Sequence, residues 1–387
     1  MPEHPEPSTP PAADNAIGHA IAELRHAADW SQSRLADELS TISGQPYTRQ
    51  DVSRWECGKR RPRARTLRHI AAALQIPVQY LEPTAVHRRA LVTHLAATAI
   101  APVVAADLLH DGFHHALSKS AAPTVDEWRT KLDAYGHDYM SMGAADIQRR
   151  LSGDLVLLQR QAHQPELWAV AAKLMTLYAK TFPGSDGTKA VRWYLMAAQA
   201  ADQSGDTSTR VWVRGRAVIA LGYEGAALPV ADQLAAQALQ IDDRPSLGRL
   251  NALYGAAHVA ALRGDKRTAL RLADEGTRLH EQVGSREQES DYAVPWWRLN
   301  VFRSLLLARL GEERRAVKAQ EDAASELPAS LPRFATHLEL HRGLMMARAG
   351  DQVGGVRYAR AALERLPPER HSLTLRMLLG EIEATPG

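Results

Sequence analysis

Along most of this chain apolar positions recur every three or four residues, the spacing of a helix that buries one face. From residue 15 to 82 the runs are short. Ile17, Ile21 and Leu24 form the first, Leu35 and Leu39 a second after Ser31, Val52 and Trp55 a third after Thr48, and Leu67, Ile70 and Leu74 a fourth before Pro77. Ser31 and Thr48 are expected N-caps, and Gly58 stops the third helix. Such short helices are unstable alone, so they must pack on one another as a small bundle.

Beyond residue 124 the pattern lengthens. Small residues recur at i, i+4 and i+7 in Ala190/Tyr194/Ala197, Ala231/Ala235/Ala238, Ala269/Ala273/Gly276, Ala316/Gln320/Ala323 and Gly355/Ala359/Ala362, with first members 41, 38, 47 and 39 residues apart. Pro183-Gly184, Gly264-Asp265, Gly311-Glu312 and Gly350-Asp351 precede four of these triads, and Pro328 and Pro367 follow the last two. Small side chains on one face let a neighbouring helix approach closely, so the period predicts a stack of helical hairpins. With β-branched runs hard to find, the expected fold is all-α: a disordered tail over 1–14, a bundle over 15–82, a linker and connecting helix over 83–123, and a repeat array over 124–384.

Composition and charge narrow the function. A chain that is 45% hydrophobic and 24% charged can bury a core. The single cysteine, Cys57, excludes an internal disulfide and a thiolate zinc cluster, and a reducing cytoplasm fits, with the nucleoid as the expected site. No apolar segment follows the five prolines of the first fourteen residues, and the least polar stretch, 95–106, is far shorter than the ~20 residues a membrane helix needs. No membrane partner is expected. Net charge is −3 over residues 1–14, +5 over 15–90 and +1 over 91–387. A basic excess confined to one small segment is the electrostatic footprint of a nucleic-acid-binding module.

That segment carries the strongest motif. Ser31-Gln-Ser-Arg-Leu-Ala-Asp-Glu-Leu39 is followed by Thr48-Arg-Gln-Asp-Val-Ser-Arg-Trp-Glu-Cys-Gly58-Lys-Arg-Arg-Pro62. It resembles the Xre/Cro/lambda-repressor helix-turn-helix family, whose actinobacterial members share the stretched turn seen here at residues 40–47. From the residues themselves, a helix capped by Thr48 puts Arg49, Gln50, Ser53 and Arg54 on one polar face while Val52 and Trp55 turn inward. Gln can pair bidentately with adenine and Arg with guanine. Gln32, at the start of the preceding helix, and Lys59, Arg60 and Arg61 are expected on phosphates. Double-stranded DNA is therefore the expected partner, bound by a homodimer.

The array resembles tetratricopeptide repeats over about residues 165–366. That resemblance implies a concave surface lined by the first helix of each hairpin, with Arg216, Asn251, Tyr254, His258, Arg298 and His337 among its exposed positions, able to bind a peptide or protein effector. The whole layout looks like that of peptide-responsive regulators. An alternative is a repressor or antitoxin-like protein whose repeats only dimerise or serve as a scaffold.

Sharper chemistry finds no support. The pairs His110/His114 and His337/His341 have chelating spacing but no H-E-x-x-H context, and read as surface histidines. Residues 184–189 lack the spacing of a phosphate loop, and no nucleophile elbow or dinucleotide fingerprint is present. A non-enzymatic chain that uses no cofactor and no metal is expected.

Overall fold

The computed structural model describes residues 12–76, 78, 81, 123–182 and 187–385. Among them are seventeen α-helices and no strand, so the chain is all-α. The expected connecting helix over 83–123 and the His110/His114 pair lie outside the described residues, apart from the final residue of that span.

The bundle consists of α1 (Ala12–Ala27), α2 (Gln32–Ser43), α3 (Arg49–Glu56) and α4 (Ala64–Ala73). Ile21, Leu35, Leu39, Val52 and Ile70 are completely buried at its centre. Ser31 caps α2, accepting from the Arg34 amide at 3.1 Å, while Thr48 and Asp51 cap α3 reciprocally. Two boundaries differ from the sequence reading. Helix α1 begins at Ala12, inside the expected tail, because the proline run ends at residue 11. Helix α2 takes the first half of the stretched turn, running to Ser43 and ending at Gly44 in the left-handed conformation (φ 66°). The Ser40 hydroxyl then accepts from the Tyr47 amide at 2.9 Å and closes the rest.

The array starts with α5 (Val125–Ser141) and α6 (Ala144–Gln159). Five hairpins follow: α7 (Pro165–Ala179) with α8 (Gly187–Ser204), α9 (Thr207–Glu224) with α10 (Leu228–Ile241), α11 (Leu247–Leu262) with α12 (Lys266–Val283), α13 (Trp296–Arg309) with α14 (Glu313–Glu326), and α15 (Pro332–Arg348) with α16 (Gln352–Glu364). Helix α17 (Leu373–Ala384) ends the stack. All fifteen triad positions are buried, and they lie on the second helices as the period requires. Gly264, Gly311 and Gly350 turn the chain at φ between 70° and 100°, where a side chain would be strained.

Two features of this stack are not part of a regular solenoid. Glycines seven residues apart bring the backbones of α9 and α11 into contact: a Cβ on Gly215 would stand 2.0 Å from the Gly248 carbonyl oxygen, and one on Gly222 2.5 Å from that of Gly255. The 47-residue interval between the third and fourth triads accommodates a long connection over residues 284–295. That connection folds inward: the Asp291 amide donates to the Gly136 carbonyl of α5 at 2.9 Å, and Tyr292 packs beside Trp212 of α9.

The bundle is seated on the array. Its core is continuous with apolar residues of α8, α9 and α10, Glu23 pairs with Arg192, and Gln75 accepts from Arg263 at 2.7 and 2.9 Å. Because the α9–α11 contact leaves no room for a methyl group, Gly248→Ala is expected to destabilise the protein by about 1–3 kcal/mol. Urea unfolding followed by circular dichroism checks this, and an unchanged midpoint contradicts it.

Candidate nucleic-acid interface and ligand cavity

The first candidate site is the outer face of α3. Thr48 begins it: its hydroxyl accepts from the Asp51 amide at 3.3 Å and donates to the Asp51 carboxylate at 2.7 Å, and that carboxylate accepts the Thr48 amide at 3.1 Å. The Thr48 hydroxyl is also the main cause that lowers the Asp51 pKa, with Arg60 and Arg54 adding to it. Arg49, Gln50 and Arg54 are exposed, Ser53 is half-buried between them, and Lys59, Arg60 and Arg61 are exposed just beyond the helix end. Val52 and Trp55 point into the bundle. Of the polar set predicted from the sequence on and just beyond α3, all but the half-buried Ser53 are therefore solvent-exposed.

Gln32 behaves differently from a free phosphate ligand. Its side-chain amide donates to Glu56 Oε2 at 2.8 Å, and the same carboxylate takes Arg25 Nε at 2.6 Å and Nη2 at 2.9 Å, while Arg25 Nη1 donates to the Trp30 carbonyl. This buried bidentate pair ties α1, the start of α2 and the end of α3 together. It fixes the α2–α3 relationship despite the long turn, a role for Arg25 and Glu56 that sequence reasoning missed. Gly18 assists, since a Cβ there would lie 2.3 Å from the Trp55 carbonyl oxygen.

The second candidate site corrects an expectation. The six positions proposed as an exposed concave wall are all buried: Arg216, Asn251, Tyr254, His258, Arg298 and His337 are at most 6% accessible. Three causes act together. His258 packs against Gly222 where α9 and α11 meet; Tyr254 turns toward α12, where its hydroxyl meets Thr277 Oγ1 at 2.7 Å; and carbonyls of the 284–295 connection hold Arg298 inward. His337 and His341 are likewise interior, not surface, histidines. The Tyr223 hydroxyl lies 2.8 Å from His341 Nε2 and 3.3 Å from His337 Nδ1, and Ser304 reaches His341 Nδ1 at 2.9 Å. Burial lowers the pKa values of His258, His337 (to about 3) and His341, so all three are neutral. No group of three His, Cys, Asp or Glu side chains that could hold a metal is found among the described residues.

Beside these interior groups lies a cavity of about 80 Å³. Arg216, Arg298 and His337 line it, with Lys180, Glu224 and Arg333; Asn251, Tyr254 and His258 do not. Behind it sits Asp291. Its Oδ1 accepts Lys180 Nζ at 2.5 Å, Arg216 Nη2 at 2.8 Å and Arg298 Nη2 at 2.8 Å, and Arg298 Nη1 also holds the carbonyls of Ser290, Asp291 and Ala293. Burial opposes ionisation of Asp291, but the three cations outweigh it and hold the carboxyl well below its ordinary range. Burial and the neighbouring Arg216 push Lys180 down and bring Arg298 to about 10. Across the cavity Glu224 accepts from Thr374 Oγ1 of α17 at 2.7 Å, and burial raises its pKa to about 7. The three charged side chains that sequence reasoning missed here, Lys180, Glu224 and Asp291, carried no motif. Only the long third interval marked the connection that delivers Asp291.

These features define a protein class: a bundle with an outward polar helix, joined to a stack of helical hairpins that encloses a charged cavity. Residues 16–82 match the family model of the helix-turn-helix domain. No curated protein gives a match. Among solved structures, the chain is similar to the crystal structure of Bacillus thuringiensis PlcR in complex with the peptide PapR7 and DNA, at 14% identity over 80% of this chain and 94% of that one, with a TM-score of 0.35. No helix among the described residues is long and apolar enough to cross a membrane.

The raised Glu224 pKa gives stability a pH dependence of definite sign. Below the ordinary value of 4.5 the group is protonated in folded and unfolded chains alike; as pH rises toward about 7 the unfolded chain ionises first, and the folded state loses stability. Glu224→Gln is expected to melt above the wild type at pH 8 and to converge on it near pH 4.5. Thermal melts over that range check this, and a pH-independent difference contradicts it.

Proposed function

We propose that the chain is a sequence-specific transcriptional regulator in which α3 reads double-stranded DNA and the repeat array receives a signal that controls this reading. The observation that carries the proposal is the helix-turn-helix match at residues 16–82 together with the exposed side chains of Arg49, Gln50 and Arg54 on a helix whose other face is core. Arg49, Gln50, Ser53 and Arg54 would contact base edges, Thr48 would hold the helix N-terminus toward the backbone, and Lys59, Arg60 and Arg61 would bind phosphates. Gln32, oriented by Glu56, would present its remaining amide hydrogen to a phosphate beside the N-terminus of α2. The function is recognition, with no chemical step and no cofactor.

Few base-reading groups lie on one α3, so two copies about 34 Å apart on a near-palindromic site would supply the specificity, which makes the working species a homodimer. The effector belongs in the cationic cavity, since the buried Arg216 and Arg298 line it beside an apolar wall. A peptide or protein partner would present a side chain or chain end to it. The other reading, in which the repeats only dimerise or act as a scaffold, gives this cavity no role.

The DNA assignment is tested by selecting binding sites with the intact protein and measuring affinity for single-site variants. Gln50→Ala or Arg54→Ala is expected to cost about 1–3 kcal/mol and to relax preference at one base position. Lys59→Ala is expected to weaken all sequences alike and to reduce the salt slope by about one. An identical, sequence-independent loss in both classes would show that α3 is not the reading helix.

A further inference from the structure

The cavity holds more positive charge than its own carboxylates neutralise. Lys180, Arg216 and Arg298 all converge on one oxygen of Asp291, and Arg333 stands at the wall, its guanidinium donating to the Tyr139 carbonyl at 3.0 Å. Against these four cationic side chains stand Asp291 and Glu224. Three atoms of the cluster are buried without a hydrogen-bond partner, Arg216 Nε, Arg298 Nε and Asp291 Oδ2, so two donors stand against one acceptor, and both arginines line the cavity. A buried donor left unpaired costs free energy comparable to a lost hydrogen bond, and more when it is charged. A burial of this kind at a cavity wall is the condition under which an incoming anion gains most.

The remaining lining has a different character. Ile219, Val301, Phe302 and Phe334 supply an apolar surface beside the cations. At about 10–15 Å³ per water the cavity of about 80 Å³ holds a handful of waters or a group of that size. Guanidinium forks match a planar pair of oxygens.

We infer that this cavity binds a carboxylate attached to a small apolar group, with Arg216, Arg298 and Arg333 as its cationic contacts and the Phe302–Phe334 side receiving the apolar part. The inference rests on the reading of the array as the input half and names the chemistry of that input. Two sources carry this chemistry: the C-terminal residue of a peptide with an apolar side chain, or a short branched organic acid. The low pKa values of His337 and His341 keep the adjoining histidines from adding charge, so the arginines and Lys180 set the selectivity.

The test uses the full-length protein without DNA, so its outcome is independent of whether the array controls DNA reading. 4-Methylpentanoate and its uncharged isostere 4-methylpentanamide are titrated by calorimetry, alongside N-acetyl-glycyl-leucine and the amide of that dipeptide. At least one of the two acids is expected to bind, with its amide weaker by about tenfold or more, the ratio that one charge-assisted contact supplies. Binding of the organic acid alone identifies the small-acid source, and binding of the dipeptide acid identifies the chain-end source. Because Arg216 and Arg298 also hold the fold, the companion variant is the half-buried Arg333→Met, which keeps the side-chain length. It is expected to weaken the acid several-fold while leaving the melting temperature close to that of the wild type, and Arg333→Lys is expected to restore part of the loss. Acid and amide binding equally, neither acid binding, or an acid affinity unchanged in Arg333→Met would each overturn the assignment.

Discussion

One carboxylate organises the concave interior of the array. Asp291 sits on a connection between hairpins, yet it gathers Lys180 from the end of the first hairpin's leading helix, Arg216 from α9 and Arg298 from α13. Buried cations of this kind would repel one another and could not remain interior without it; removing one member of such a set commonly costs about 3–5 kcal/mol. The regular repeat needs only small residues on second helices, whereas this interior needs a charge delivered from outside the repeat. The connection at 284–295 is therefore part of the architecture: it delivers the carboxylate that holds three of the cations at the cavity wall.

The same economy of fixed charge appears in the bundle. Glu56, at the last turn of α3, holds Arg25 bidentately and Gln32 by its amide, so one buried acid fixes the angle between the two helices that a long turn would otherwise leave loose. Contacts of the bundle with α8 and with the end of α11, through Glu23–Arg192 and Gln75–Arg263, and with α10 through the shared apolar core, link the two halves. A change in the array that moved α8 or α10 would bear directly on the elements that support α3.

Much of this was legible in the sequence because it depends on local rules. Ser31 and Thr48 are caps, Val52 and Trp55 are core, and the five small-residue triads lie on packed faces, all consequences of helical spacing. The concave wall was not legible. Whether His258 faces solvent depends on how closely α9 and α11 approach, and that was recorded only in the spacing of Gly215, Gly222, Gly248 and Gly255, which reads as ordinary glycine in any one helix. Asp291 was hidden for a related reason: an acidic residue in a polar connection gives no local sign that three cations from distant helices meet it.

Hydrogen exchange measured on Asp291→Asn against the wild type tests the organising role of this carboxylate directly. If Asp291 holds the interior, the amides of α7, α9 and α13 lose protection together, because all three present a cation, or lie next to one, that the amide of asparagine cannot neutralise. Protection unchanged in those helices, or lost only within residues 284–295, would show that the stack stands without the charge and that the cationic interior has some other support.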